Sequence, residues 1–465
     1  MKIHKKRKTS KYFHNSFSFT NNFLLIPYFF VFLNFQYTNN SIFYFFKMNK
    51  IPLFFRTLLL LFSIFFSFSF SSLSQNFNEK LLLDGVVPLY AYGLDTTGHW
   101  WAVTQPFQGK YRVIVDGEES STYDDISPIK FSPNGINWCF FGNASNNIYL
   151  VDDSSDNLFE DATDFGEITF SPNGDYRAFS YFRAGIEVIH LPNRKIEVEN
   201  RVGKLFIDNS GTRFALVGRR LDVFVLNVNG KESSTYDEII PIGFWHTGEF
   251  IYAARNGFFW EVYQGDKSLG ESYSKIVSYK INTFGTVLAL LVRLNTGQNM
   301  SLLFSDEYRE PIYGKTYDEV WGLALHPELP LIGYAAGDKY RDYVIQNSTE
   351  YYAPGAFSDP FYTHDGEELL FVGVGNFNPY ISINGRNYDI FIGLTEETQV
   401  AKKPKHPTFA YSTRTTLLVH YYEKNEYYTG YMTDETSETI WNWRKGEYQT
   451  LGAIHDRLYL ISCKL

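Results

Sequence analysis

The sequence predicts an all-β fold, a β-propeller of about ten four-stranded blades, and three observations predict it. A Ser-Pro-Asn-Gly turn and its weaker copies return about every 37 residues. A second marker, Ser-Ser-Thr-Tyr-Asp, runs in phase with the first. Between the markers lie short runs of β-branched and aromatic residues with turn signals about every 8–12 residues, and no helical period is sustained after residue 75.

The first marker is a ruler. Phe131-Ser-Pro-Asn-Gly135 returns as Phe170-Ser-Pro-Asn-Gly174, and the turn glycines Gly98, Gly135, Gly174, Gly211, Gly248 and Gly285 stand 37, 39, 37, 37 and 37 residues apart. Gly366 follows 81 residues on, with His326-Pro-Glu-Leu329 in the slot between. Weaker copies occur around Thr413 and at His455-Asp456. The second marker, Glu119-Ser-Ser-Thr-Tyr-Asp124, recurs letter for letter at Glu232–Asp237, and Thr316-Tyr-Asp318 and Asn387-Tyr-Asp389 follow. Asp116-Gly117, Asn229-Gly230 and Asn384-Gly385 precede these copies. Asp-Gly and Asn-Gly favour two-residue hairpins, because both central residues need positive φ.

One unit therefore reads as four strands. The first ends at Phe-Ser-Pro-Asn-Gly, and the second is an apolar run such as Phe250-Ile-Tyr-Ala-Ala254. The third alternates, as in Tyr111-Arg-Val-Ile-Val115, and closes at Asp-Gly or Asn-Gly. The fourth carries Ser-Ser-Thr-Tyr-Asp. Each such sheet has two faces that only its neighbours can cover, which makes a ring. At the ends, Glu79–Gly85 reads as a third strand with its turn, and Leu451–Ile454 and Arg457–Ser462 read as first and second strands. Together they complete one blade, which removes exposed sheet edges. One ring of ten and two smaller rings both fit the count.

The pattern resembles the WD40-like repeats of TolB-type propellers, over roughly residues 79–465. It does so through Phe-Ser-Pro-Asn-Gly at 131–135 and 170–174 and the Asp-Gly…Tyr-Asp phase at 116–124. The Trp-Asp ending of true WD40 blades is absent, as is a TolB-type N-terminal domain. The resemblance implies a propeller and leaves its role open.

The segment before the repeats reads differently. Residues 1–47 are rich in Phe, Asn, Tyr and Lys and read as an over-extended start or a disordered apolar leader. Met48 opens a secretory signal pattern over residues 48–74: Lys50 and Arg56 supply charge, and Leu58–Phe70 is apolar save Ser63, Ser67 and Ser69. Ser72 and Ser74 fit a signal peptidase site with cleavage between Ser74 and Gln75. An uncleaved anchor helix is the other reading. The propeller is then residues 75–465, secreted or in the periplasm or cell envelope.

Residues 1–74 hold nine Lys/Arg and no acid, so the rest has 33 basic against 51 acidic residues, a net charge of −18. Such a body argues against nucleic acid as partner. Membrane contact is expected only through an uncleaved N-terminal segment, and the ring is expected to be a monomer. Cys139 and Cys463 each sit in an apolar run and read as buried free thiols, a disulfide between them being the other reading that export permits, and no metal-type Cys spacing occurs.

No cofactor, metal or catalytic residue emerges. No Gly-x-Ser-x-Gly elbow or phosphate-binding loop is present. His99, His246, His326, His364 and His455 recur near one repeat position, on different blades, and read as solvated turn residues. Asp152–Asp161 is the densest acidic run but lacks the Gly of an EF-hand loop, and reads as a solvated loop. The repeated Tyr-Asp pairs read as structural, with Asp accepting backbone N–H bonds. Asn143, Asn299 and Asn347 open glycosylation sequons, which matter only in a eukaryotic secretory host.

Tyr421–Tyr448 breaks the period. Trp441 and Trp443 would share one strand face, and with Tyr427 and Tyr428 they are the candidate partner-binding residues, an aromatic platform for a sugar or peptide. The function expected is a non-enzymatic scaffold binding a protein or polysaccharide. The alternative is a lactonase- or glycosidase-like hydrolase with its site at the mouth of the central channel.

Overall fold

The computed structural model describes residues 33–37, 40–44 and 77–464, apart from 108, 309, 357, 376–377, 391–398 and 425. Leu33–Tyr37 and Asn40–Tyr44 form an antiparallel hairpin within a first unit, residues 1–72. The rest of the N-terminal segment, including Ser74 and Gln75, lies outside the described residues. The second unit is a single ring of ten blades, and every described regular element in it is a strand.

In chain order the blades span residues 89–123, 125–159, 164–198, 201–236, 238–268, 275–313, 319–352, 361–389, 400–429, and finally 435–464 with 77–84. They are numbered 1 to 10 below. Each is an antiparallel meander whose first strand lies innermost. First strands of neighbouring blades touch: on blade 3 the Glu167 carboxylate accepts Arg201 Nη1 at 2.7 Å and Leu205 N at 2.9 Å from the first strand of blade 4. Those strands also carry register shifts, between Phe165 and Ile168 and between Pro241 and Gly243 for example. Such bulges bend a strand around the channel.

The turns explain the spacing. Gly135 N donates to Ser132 O at 2.8 Å, and Gly174 N to Ser171 O at 2.8 Å. Gly135 has φ +67°, and a Cβ there would meet the Thr97 side chain of blade 1 at 2.2 Å. Glycine is thus required both by the turn and by the neighbour abutting it. Asp116-Gly117, Asn229-Gly230 and Asn384-Gly385 all have positive φ at both positions, as the hairpin reading expected.

What holds the ring is apolar burial between blades. Ten hydrophobic clusters are present, and each straddles one boundary between consecutive blades. The last joins Leu451 and Leu458 of blade 10 to Trp100, Ala102 and Ile114 of blade 1. Ten boundaries for ten blades define one closed ring, so the two-ring option is excluded. Such burial stabilises by about 25 cal/mol per Å² of apolar surface and acts at every boundary of the ring.

Closure through both termini is as expected, but the phase of the ends is shifted by one strand. Glu447–Ile454 and Arg457–Lys464 are second and third strands, and Phe77–Asp84 is the outermost, fourth strand. The first strand of blade 10 is split into Glu435–Thr436 and Ile440–Asn442. Asp84-Gly85 resembles a hairpin turn, yet the chain continues from it into the first strand of blade 1.

Two other expectations meet the packing. The Tyr-Asp pairs are structural, and the tyrosine does as much as the aspartate. The buried phenols of Tyr123 and Tyr317 each donate at 2.8 Å to an acid 33 residues on, Asp156 and Glu350, on the fourth strand of the next blade. Asp124 and Asp237 accept the N–H of Ser145 and of Gly257 at 2.9 and 2.6 Å. The acidic run is solvated, as expected, but it is not idle and part of it, Asp156–Phe159, is a strand. Asp152 pairs with Arg177 at 3.1 Å, Asp156 takes Tyr123 and Ser121, and Asp161 takes Tyr181 and Arg183, so its carboxylates link blades 1, 2 and 3. Cys139 and Cys463 are buried free thiols, and burial pushes the first up to about 11 and the second to about 12.

Candidate functional site

The turns between first and second strands form one rim of the ring, around the channel mouth. They bind one another in sequence. Asn134 Nδ2 of blade 2 donates to Asp175 at 3.2 Å. Asn173 of blade 3 donates its N–H to Asn209 Oδ1 at 2.9 Å and its amide to Asn209 O at 3.1 Å. His246 N of blade 5 donates to Gly285 O of blade 6 at 2.9 Å. Three contacts skip a blade: Asn209 Nδ2 to Thr283 O at 2.9 Å, Arg444 Nη2 to Asn134 O at 2.9 Å, and the His364 and Trp443 rings 5.5 Å apart. The turns therefore crowd over the mouth and narrow it.

On this rim large apolar side chains stand in solvent. Ile136, Tyr176, Phe284, Leu329 and Trp443, from blades 2, 3, 6, 7 and 10, are all exposed. Trp443 is held most firmly. Buried Asn442 accepts the N–H groups of Arg444 and Lys445, both at 3.1 Å, and donates to Gln449 at 2.9 Å. That fixes the turn, and the Arg444 guanidinium lies 5.2 Å from the Trp443 ring centroid, a cation–π contact.

The structure separates the four aromatic candidates. Trp441 lies on the short strand Ile440–Asn442 toward blade 9, whereas Trp443 lies one residue past that strand, in the turn, against His364 of blade 8, so the two do not share a strand face. Trp441 is half-buried on Tyr448 with Lys403 Nζ 5.5 Å over its ring, while Trp443 reaches the rim. Tyr427 and Tyr428 lie on the outermost strand of blade 9 and point opposite ways. Tyr427 stacks on His420 with centroids 4.0 Å apart, and Tyr428 packs at the boundary with blade 10. They share no surface with Trp443. The other rim residues, Ile136, Tyr176, Phe284 and Leu329, escaped sequence reading. Their signal was a large apolar residue within three positions of each turn marker.

The histidines are dispersed. His246 and Asp306 pair at 2.5 Å, as do His99 and Asp116. His326 is buried, and its Nδ1 accepts the N–H of Glu328 and Leu329 at 3.1 and 2.9 Å, so it forms its turn as a neutral ring; burial lowers its pKa. Behind the rim, Lys402 is buried and donates to Glu368 of blade 8 at 2.8 Å and to Lys403 O and His406 O at 2.7 and 2.6 Å. Burial lowers its pKa and Glu368 opposes that. Lys280, on the first strand of blade 6, is exposed, and desolvation by its surroundings lowers its pKa against the opposing pull of Asp359. Among the described residues no group of three or more His, Cys, Asp or Glu could hold a metal ion.

Ring, rim and channel define a ten-bladed β-propeller. No family model matches the chain, and no curated protein is significantly similar to it. Solved structures are similar in fold. A crystal structure of the eukaryotic initiation factor shares 10% identity over 80% of this chain and 98% of its own, with TM-score 0.45. The Dos1 propeller shares 10% over 82% and 94%, with TM-score 0.36. Oligogalacturonate lyase in complex with manganese shares 13% over 64% and 96%, with TM-score 0.32. At these identities the likeness is one of fold alone.

Proposed function

We propose that this chain is an exported propeller scaffold, akin to TolB-type and WD40-like repeat proteins, that binds a protein or polysaccharide partner on the rim bearing Trp443. One observation carries the reading: apolar side chains from five blades stand exposed on a rim whose turns are bonded to one another. A locked backbone that presents aromatic anchors loses little order on binding, and buried anchors of this kind contribute about 2 kcal/mol or more each. The test is capture of ligands from glycan arrays and from extracts of the producing cell. Parent is compared with Tyr176→Ser/Phe284→Ser/Trp443→Ser. Loss of the captured ligand in the variant supports the rim; equal capture by both refutes it.

The hydrolase alternative has one observation in its favour: Lys280, exposed on the first strand of blade 6, feels the Asp359 carboxylate across the blade boundary. Turnover of a lactone or glycoside that Lys280→Met abolishes would favour that reading over the scaffold.

A further inference from the structure

The opposite face carries the turns between second and third strands. In blades 4, 5 and 7 these are two-residue hairpins. Arg220 pairs with Val223 across Leu221-Asp222, Asn256 with Phe259 across Gly257-Phe258, and Asp338 with Arg341 across Lys339-Tyr340. The matching turns of blades 2 and 3 are Ser145-Asn146 and Ala184-Gly185, the small or polar residues such turns favour. Leu221, Phe258 and Tyr340 are instead large, apolar, and 92%, 87% and 81% exposed. None belongs to an inter-blade cluster, so the fold gains nothing from them. Leu221 also has φ +55°, a conformation that Asn or Gly adopts at lower cost.

We propose that this arc of the ring, blades 4 to 7, docks on a lipid surface with Leu221, Phe258 and Tyr340 inserted at the headgroup level. Three features select a bilayer over a protein. The tips occupy the same place in their blades and so share one face, which a flat surface meets at once. Each tip projects from its own turn, and the polar turn Asn295-Thr296-Gly297 of blade 6 stands between Phe258 and Tyr340, whereas a protein partner needs a contiguous patch. Aromatic side chains prefer the membrane interface. Two of the adjoining cations are already paired, Arg220 with Glu232 at 2.7 Å and Arg255 with Glu238 at 3.2 Å, and the exposed Lys339 lies over the Tyr340 ring, its Nζ 5.4 Å from the centroid. Insertion, not attraction to anionic lipid, then drives docking. This is a membrane contact independent of residues 1–74, and it turns the Trp443 rim away from the lipid.

The experiment is sedimentation of residues 75–465, a ring closed within itself, with phosphatidylcholine vesicles. The parent sediments with the vesicles. Leu221→Ser/Phe258→Ser/Tyr340→Ser lowers partitioning at least about tenfold, since exposed apolar groups set interfacial binding. Trp443→Ser leaves it unchanged. Adding phosphatidylserine or raising salt alters the parent by less than about threefold. Thermal melts of the parent and the triple variant coincide within about 2 °C, because none of the three tips belongs to an inter-blade cluster. A parent that stays in solution overturns the proposal and leaves the tips to a protein partner. So does a triple variant that sediments equally, or binding that requires phosphatidylserine and vanishes in salt.

Discussion

Lys402→Met should destabilise the ring far more than its place in a lysine-rich run, Lys402-Lys-Pro-Lys405, suggests. The Lys402 side chain is 1% exposed, and its three bonds use the full donor capacity of an ammonium. Methionine fills similar volume but leaves the Glu368 carboxylate, itself mostly buried, and two carbonyls without that partner. Breaking one side of a buried ion pair costs about 3–5 kcal/mol. The unfolding entropy is about 2.1 cal/mol/K per residue, or roughly 0.8 kcal/mol/K for the ring, so the melting temperature should fall by about 4–6 °C. Lys402→Met/Glu368→Leu should recover most of that, because an apolar pair of similar size replaces a desolvated ionic one. The assay is a double-mutant cycle by calorimetry and urea unfolding. A single substitution costing under about 1 kcal/mol, or a double variant as weak as the single, would refute the claim that this ion pair ties blade 8 to blade 9.

Two further outcomes follow from the packing. Removing residues 457–465 deletes the third strand of blade 10 and strands Phe77–Asp84 with no pairing partner; the truncated protein should lose its cooperative melt, and one that melts like the parent would contradict closure through the termini. His190 is boxed by Phe159, Phe179 and Tyr181, and burial, helped by Lys195, pushes its pKa down to about 4. Its folded pKa lies below its unfolded value of about 6.5, so its contribution is intact above pH about 6.5 and is lost as pH falls toward 4, by about 1–2 kcal/mol once solvent screening of the half-buried ring is counted. His190→Phe should flatten stability over that window, and an unchanged pH profile would count against the assignment.

The fold was legible because it is written in turn chemistry, which acts locally. Phe131–Gly135 needs no partner to declare a turn, and its copies count the blades. The terminal phase was not legible: Asp84-Gly85 has the letters of a hairpin, and only pairing of Leu83 with Leu458 shows that none forms there. Lys402, and the bond from Tyr123 to the exposed Asp156, were hidden for the same reason. A charge in a run reads as solvated until a neighbouring blade supplies a carboxylate or a phenol. Trp443 was singled out because it broke the period, and it does reach the rim. Ile136 and Phe284 kept the period and so passed unnoticed, as did Leu221, whose oddity lies in its φ rather than its letter. Tyr427 and Tyr428 are near Trp443 in sequence but a blade's width away in space.

The outermost strand of blade 10 sets a schedule for the protein. Phe77–Asp84 leaves the ribosome before every other strand of the ring, and its partner Arg457–Lys464 is the last of the ring's strands to emerge, roughly 380 residues later. At about 5–20 residues per second that is about 20–80 seconds. Throughout that time a segment carrying Leu81-Leu82-Leu83 has no ladder to join, and it presents bonding groups that any other nascent strand can take. Contacts of such separation also slow the final step once synthesis ends. The vulnerable species for this molecule is therefore a nine-blade arc with a waiting strand, and its yield in any host should follow how well that strand is chaperoned rather than how stable the finished ring is.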